Sequence, residues 1–111
     1  VALDAFPYIG GTTTMEALWQ GVPLATFDGD RWASRTSPSL IRQSPFRDWV
    51  AADVTGYMTW AVQMATSRDR IKWLSEHRRT ARDRLANSSV CDTPRLARSM
   101  EAVFRRLVKD G

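Results

Sequence analysis

Residues 8 to 14 read Tyr-Ile-Gly-Gly-Thr-Thr-Thr, and Glu16 stands two positions further on. Adjacent glycines let a backbone turn tightly and approach a ligand closely. The threonines behind them, Thr12, Thr13 and Thr14, open an apolar-periodic run, so they offer hydroxyls together with the N–H groups that a helix start leaves unpaired. The helix dipole adds partial positive charge at that end, and Gly11 with the three threonines therefore suits a phosphate. Glu16, one turn in, can accept hydrogen bonds from a sugar hydroxyl beside that phosphate. The same composition also serves as a plain helix cap, the usual task of threonine there, and residue types alone leave both readings open.

The remaining polar groups carry less. Asp28-Gly29-Asp30 has the spacing of a carboxylate pair for a divalent cation, but acid-glycine-acid is also ordinary turn composition. With no third ligand nearby, no metal is predicted. His77 is the single histidine and lies beside Arg78 and Arg79, so it is read as a solvated helix position; a base needs a cleft and an orienting partner. No serine has a His-Asp setting, and no catalytic residue is assigned. The one cysteine, Cys91, excludes an intramolecular disulfide and fits a reducing, cytoplasmic compartment.

A phosphate site of this kind needs a strand before it and a helix behind it. Val1 to Phe6 and Pro23 to Phe27 read as short strands around a helix from Thr12 to Gln20, which ends at Gly21 with Pro23 beyond. Strand, glycine turn, helix and strand within roughly 30 residues form a parallel βαβ unit, whose right-handed crossover puts the turn at the carboxyl end of the first strand. Ligands of open α/β sheets bind at that end. Arg31 to Arg35 reads as helical, Ser37-Pro38 as a cap and first helical residue, and Asp48 to Ala51 as a third strand.

Three helices follow. Asp53 caps the first, with Tyr57, Trp60, Ala61, Met64 and Ala65 on one face. Asp69 opens the second, with Ile71, Leu74, Ala81 and Leu85 as its apolar stripe. Thr93-Pro94 opens the third, striped by Leu96, Met100, Val103, Phe104, Leu107 and Val108. The chain thus divides into a βαβ part, 1–52, that carries the glycine-threonine turn, and a helical part, 53–111, of one α/β domain: a partial, Rossmann-like parallel sheet backed by helices. At 111 residues it is too small for a two-lobed enzyme, and it opens on an apolar run with no initiator Met, which predicts a piece of a longer protein.

Charge follows the same division. Residues 1–50 carry four arginines against five acids, and residues 51–111 carry twelve basic residues against seven acids, which together give the net +4. A phosphate site in the first half must therefore rely on backbone donors. Arg68, Lys72, Arg78, Arg79 and Arg82 gather on one side of the second long helix, but Asp69, Glu76 and Asp83 interrupt them and no groove-reading motif accompanies them, so neither a nucleic acid nor a membrane is predicted as partner.

The blocks Leu3-Asp4-Ala5-Phe6-Pro7-Tyr8, Gly10 to Thr14, Glu16-Ala17-Leu18-Trp19, Gly21-Val22-Pro23, Gly29-Asp30-Arg31 and Ala33-Ser34-Arg35, at these spacings, resemble the C-terminal catalytic region of the O-linked N-acetylglucosamine transferase and SPINDLY family. The resemblance implies part of the C-terminal lobe of a GT-B glycosyltransferase, metal independent and without cofactor. Its donor would be a nucleotide sugar such as UDP-N-acetylglucosamine. The sugar would pass to Ser or Thr of a protein acceptor held by upstream tetratricopeptide repeats. Carried over by position, Thr12, Thr13 and Thr14 would meet the diphosphate and Glu16 the ribose. Two positions depart from the family pattern: Ile9 stands where many relatives have Asn, and Gly11 where the animal enzymes have His. The alternatives are a non-catalytic binding module of the same fold and a basic nucleic-acid-binding domain.

Overall fold

The computed structural model describes all residues, 1–111. Three parallel strands, β1 (Ala2–Leu3), β2 (Leu24–Phe27) and β3 (Val50–Ala51), form a sheet in the order β1-β2-β3. Ala2 pairs with Leu24 and Thr26 with Val50. Helix α1 (Thr12–Trp19) crosses from β1 to β2, and α2 (Thr36–Arg42) lies between β2 and β3. Then come α3 (Val54–Thr66), α4 (Arg68–Ala86) and α5 (Thr93–Asp110), with short 3-10 turns at Trp32–Ser34, Arg47–Trp49 and Ser89–Cys91.

The first strand is shorter than the apolar run that announces it. Ala2 donates to Pro23 O and Asp4 to Ala25 O, after which the chain leaves β2. Beyond Asp4 the segment heads for the glycine turn, and pairing stops. At the other end of α1, Gly21 adopts φ +69, and a Cβ there would lie 3.0 Å from the Arg78 Cα of α4. A positive φ and a close backbone approach both call for glycine.

One core joins the two halves of the chain. Leu18 of α1, Leu24 of β2, Ile41 of α2, Phe46, Trp49 and Ala81 and Leu85 of α4 are buried together, so the sheet half and the helical half share it. Phe46 and Trp49 stack at 4.6 Å. Burial of such apolar area is the main driving force for holding α1 in place.

Several caps differ from expectation. Asp53 caps α3 as predicted, accepting from Gly56 N at 2.8 Å. In α5 the cap is Asp92, whose carboxylate accepts from Arg95 N at 2.9 Å, and not Thr93; Asp accepts as well at that position. Helix α4 starts at Arg68 with Ser67 before it, leaving Asp69 inside the first turn. The stripe of α5 touches little: Leu96, Met100, Phe104 and Leu107 are exposed, because the shared core ends at Val90 and Cys91.

His77 is the clearest reversal. It is 2% exposed, stacked on Trp73 at 4.6 Å and edge-on to Phe46 and Trp49. Its position four residues before Ala81 and eight before Leu85 puts it on the buried face of α4, whatever its neighbours' charge. Neither ring nitrogen has a hydrogen-bond partner. Burial, then Arg84 and Arg78, push its pKa below the ordinary 6.5. Of the basic side chains on this helix, Arg79 pairs with Glu76, while Arg82 donates to Trp19 O at the end of α1 and lies over the Trp19 ring. That Arg82 contact is a helix-end interaction rather than an open cationic strip.

Candidate functional site

The glycine-threonine turn lies where the βαβ unit places it, between the carboxyl end of β1 and the start of α1. The first backbone donation of the helix runs from Met15 N to Gly11 O at 3.1 Å. The N–H groups of Gly11, Thr12, Thr13 and Thr14 consequently donate to no group of the chain. Four consecutive unpaired donors at the positive end of a helix dipole are an anion cradle in chemical terms.

The cleft in front of the turn has a volume of about 420 Å³ and is lined by Ile9, Gly10, Gly11, Thr12, Thr13 and Thr36, with Tyr8, Trp32 and Ala33 on its rim. Tyr8 and Trp32 are 77% and 84% exposed. A larger depression of about 510 Å³ lies between Asp28, Arg35, Ser39, Arg42 and Gln43, but its main charges are already joined in the Arg42–Asp28 ion pair. The turn, with its unspent donors, is the better candidate.

The threonines do not act alike. Thr12 and Thr13 are exposed and open to the cleft. Thr14 is 1% exposed, and its hydroxyl meets Ser37 Oγ at 2.6 Å in the core. Ser37 in turn donates to Gly10 O at 2.7 Å, so its single proton is used there and Thr14 must be the donor to Ser37. The Thr14 side chain is thus spent inside the core. Glu16 stands exposed on α1 and does not line the cleft. It is four residues after Thr12, hence on the same helix face.

Ser37 is not the cap the Ser37-Pro38 pair suggests. Helix α2 begins at Thr36, two residues before Pro38, and the Ser37 side chain is turned inward to Gly10. Asp4 is the other residue that composition does not single out. Its Oδ1 accepts from Gly10 N at 3.1 Å and its Oδ2 from Thr26 Oγ1 at 2.8 Å, while its carbonyl accepts from the Tyr57 hydroxyl at 3.1 Å. An acid directly after an apolar strand, at its ligand-binding end, is the only sequence signal for it.

The loop after β2 completes the wall. Ile9 is buried and its N–H donates to Ala33 O at 3.2 Å, which ties the turn to the segment 29–35. Gly29 donates to Ser34 O at 3.1 Å and its carbonyl accepts from Arg35 Nε at 2.9 Å. A Cβ at Gly29 would fall 2.0 Å from Ser34 Oγ, so glycine is required by space. The carboxylates of Asp28 and Asp30 are engaged by Arg42 and Arg31, and these hydrogen bonds hold both pKa values below the usual 3.8.

A family model described as glycosyl transferase family 41 matches residues 1–100. The chain belongs to this family. It is 33% identical over 107 residues to a tomato (Solanum lycopersicum) protein named probable UDP-N-acetylglucosamine–peptide N-acetylglucosaminyltransferase SPINDLY, and 35% identical over 109 residues to the Arabidopsis thaliana protein of that name. These alignments cover 96% and 98% of the chain but only 11% and 12% of the relatives. Among solved structures, a variant of the Thermobaculum terrenum O-GlcNAc transferase superposes with a TM-score of 0.80 at 32% identity, over 99% of this chain and 21% of that one. The α/β fold with its parallel sheet is thus that of a glycosyl transferase family 41 catalytic region. No helix is long and apolar enough to cross a membrane.

Proposed function

We propose that this chain is the donor-diphosphate part of a protein O-glycosyltransferase. In this reading the N–H groups of Gly11 to Thr14 and the hydroxyls of Thr12 and Thr13 hold the diphosphate of a nucleotide sugar, and Glu16 accepts from the ribose. The donor is UDP-N-acetylglucosamine and the acceptor a Ser or Thr hydroxyl of a protein, in keeping with the names of the relatives. The observation that carries the reading is the row of unspent N–H donors, of which those of Gly11, Thr12 and Thr13 belong to residues lining the cleft.

The chemistry follows from where charge appears. The acceptor oxygen bonds to the anomeric carbon as the bond from that carbon to the diphosphate oxygen breaks, and the electron pair stays on the departing phosphate. Donors fixed at that position stabilise the growing charge without having to reorganise. The chain offers no convincing base, so acceptor activation belongs to another part of the parent protein, as does acceptor capture by tetratricopeptide repeats. The Asp-Gly-Asp carboxylates are occupied by guanidinium groups, which suits metal-independent handling of the leaving group by backbone dipoles. A cytoplasmic setting fits the single unpaired thiol of Cys91.

The test is UDP binding by the intact parent protein. Thr12→Ala and Thr13→Ala should each weaken it by about 0.5 to 3 kcal/mol, the span of neutral and charge-assisted hydrogen bonds. Unchanged affinity in both variants would remove the assignment.

A further inference from the structure

We infer that Asp4 and Ser37 are positioning residues that clamp Gly10 through its N–H and its carbonyl and so aim the glycine-threonine turn where its free donors begin. The inference rests on the donor-diphosphate reading and names what holds that site in shape.

Gly10 is the last residue before the row of free N–H groups. Its own N–H is taken by Asp4 Oδ1 at 3.1 Å and its carbonyl by Ser37 Oγ at 2.7 Å. Both polar groups of this residue are therefore fixed by side chains, one from the end of β1 and one from α2. No bond within α1 does this, because the ladder of the helix begins only at Met15. The Gly10 carbonyl and the Gly11 N–H share one peptide plane, so holding that carbonyl fixes the direction of the first free N–H, while holding Gly10 N fixes the peptide before it.

Each clamp is itself braced. Asp4 is held by Thr26 of β2 at 2.8 Å through its second oxygen, and Tyr57 of α3 donates to its carbonyl at 3.1 Å. Ser37 is held by the Thr14 hydroxyl at 2.6 Å inside the core. A side chain at position 10 would break the arrangement, since its Cβ would lie 2.5 Å from Thr13 Oγ1 and 2.9 Å from Thr14 Oγ1.

A carboxylate beside an anion site needs a reason, and the hydrogen bonding provides one. Both Asp4 oxygens accept from donors of the chain, so Asp4 withholds only the Gly10 N–H and leaves those of Gly11 to Thr14 for the ligand. Donors misplaced by about 1 Å lose much of their value to a reacting group, which is why such bracing affects both binding and turnover.

The experiment uses the full-length parent protein and measures the dissociation constant for UDP, with GDP as a second probe, together with kcat and the melting temperature. Asp4→Ala and Ser37→Ala should each raise the UDP dissociation constant about tenfold and lower kcat, the loss expected when one strong hydrogen bond no longer holds the turn. Asp4→Asn keeps an acceptor for Gly10 N and should recover most of the affinity. Ala61→Gly, remote in α3, supplies a variant of lowered stability with normal UDP affinity. A purely structural role for Asp4 and Ser37 would lower the melting temperature but leave the affinity of the folded protein unchanged, and that result overturns the inference. Should Asp4→Ala fail to fold, Ser37→Ala and Asp4→Asn decide the matter alone. If the wild-type protein binds neither probe, or the Thr12 and Thr13 variants bind normally, the donor-diphosphate reading fails instead; normal threonine dependence with an indifferent Asp4 and Ser37 sinks only the clamp.

Discussion

The hydroxyls of Thr14 and Ser37 meet at 2.6 Å, joining the first turn of α1 to the first turn of α2 across 23 residues of sequence. Both side chains are fully enclosed. The contact divides three consecutive threonines into two that face the cleft and one that belongs to the core. Thr14→Val keeps the shape and removes the donor, and we expect it to cost about 1 kcal/mol in chemical denaturation. UDP affinity should change less than in Thr13→Ala; an equal or larger loss would mean that the Thr14 hydroxyl acts on the site, directly or through Ser37.

The two glycines of the turn should respond differently to alanine. At Gly10 the added Cβ meets Thr13 Oγ1 and the Thr14 hydroxyl, which is anchored to Ser37 and cannot rotate away. We expect Gly10→Ala to cost about 1 to 3 kcal/mol of stability, the usual range for overpacking, and to weaken UDP binding as well. At Gly11 the nearest atom is Thr36 Cγ2 at 3.4 Å, an ordinary contact, and φ is −134. Gly11→Ala should fold with near-normal stability, measured by the same denaturation curve.

For Glu16 the informative comparison is between sugars. If its carboxylate accepts from ribose hydroxyls, Glu16→Gln should narrow the preference for UDP over its 2′-deoxy analogue by about fivefold, the equivalent of one hydrogen bond near 1 kcal/mol. Titration calorimetry with both nucleotides reads this directly. A preference unaltered by the substitution would make Glu16 a helix-stabilising charge only.

Histidine 77 makes stability depend on pH in a definite direction. Its native pKa is pushed below the ordinary 6.5, first by burial and then by Arg84 and Arg78, so between the two values the unfolded chain takes a proton that the folded chain refuses. The contribution is fully present above about 6.5 and is lost as pH falls through the interval down to the lowered native value. The melting temperature should therefore drop between pH 7 and pH 5. His77→Phe keeps a ring against Trp73 and removes the titrating group, and its melting profile should be flatter over that range. Parallel profiles for the two proteins would show that other groups govern the acid limb.

The amino-acid sequence by itself determined the order of elements and the place of the turn. Glycine, proline and threonine act through local backbone preferences, so Gly10 to Thr14 marked a helix start, Gly21 its end, and the apolar runs their strands without any knowledge of the partner elements. Spacing also determined which faces of α3 and α4 turn inward for Ala61, Met64, Ala81 and Leu85, because a helix converts separation of three or four residues into a common side.

Tertiary structure decided what each polar side chain does. Thr12 and Thr14 have the same chemistry, yet only the approach of α2 tells them apart. Ser37 looked like a cap and became a brace for Gly10 because its neighbour in space is 27 residues away. Asp4 gained a role from Gly10, Thr26 and Tyr57, contributed by a turn, a strand and a helix that the sheet brings together. His77 was hidden behind its charged neighbours, since sequence adjacency reports charge and burial depends on whether Phe46, Trp49 and Trp73 converge on the same point. Hydrogen bonds between distant residues are set by packing geometry, and that geometry exists only once the core around Leu18, Leu24 and Ile41 has closed.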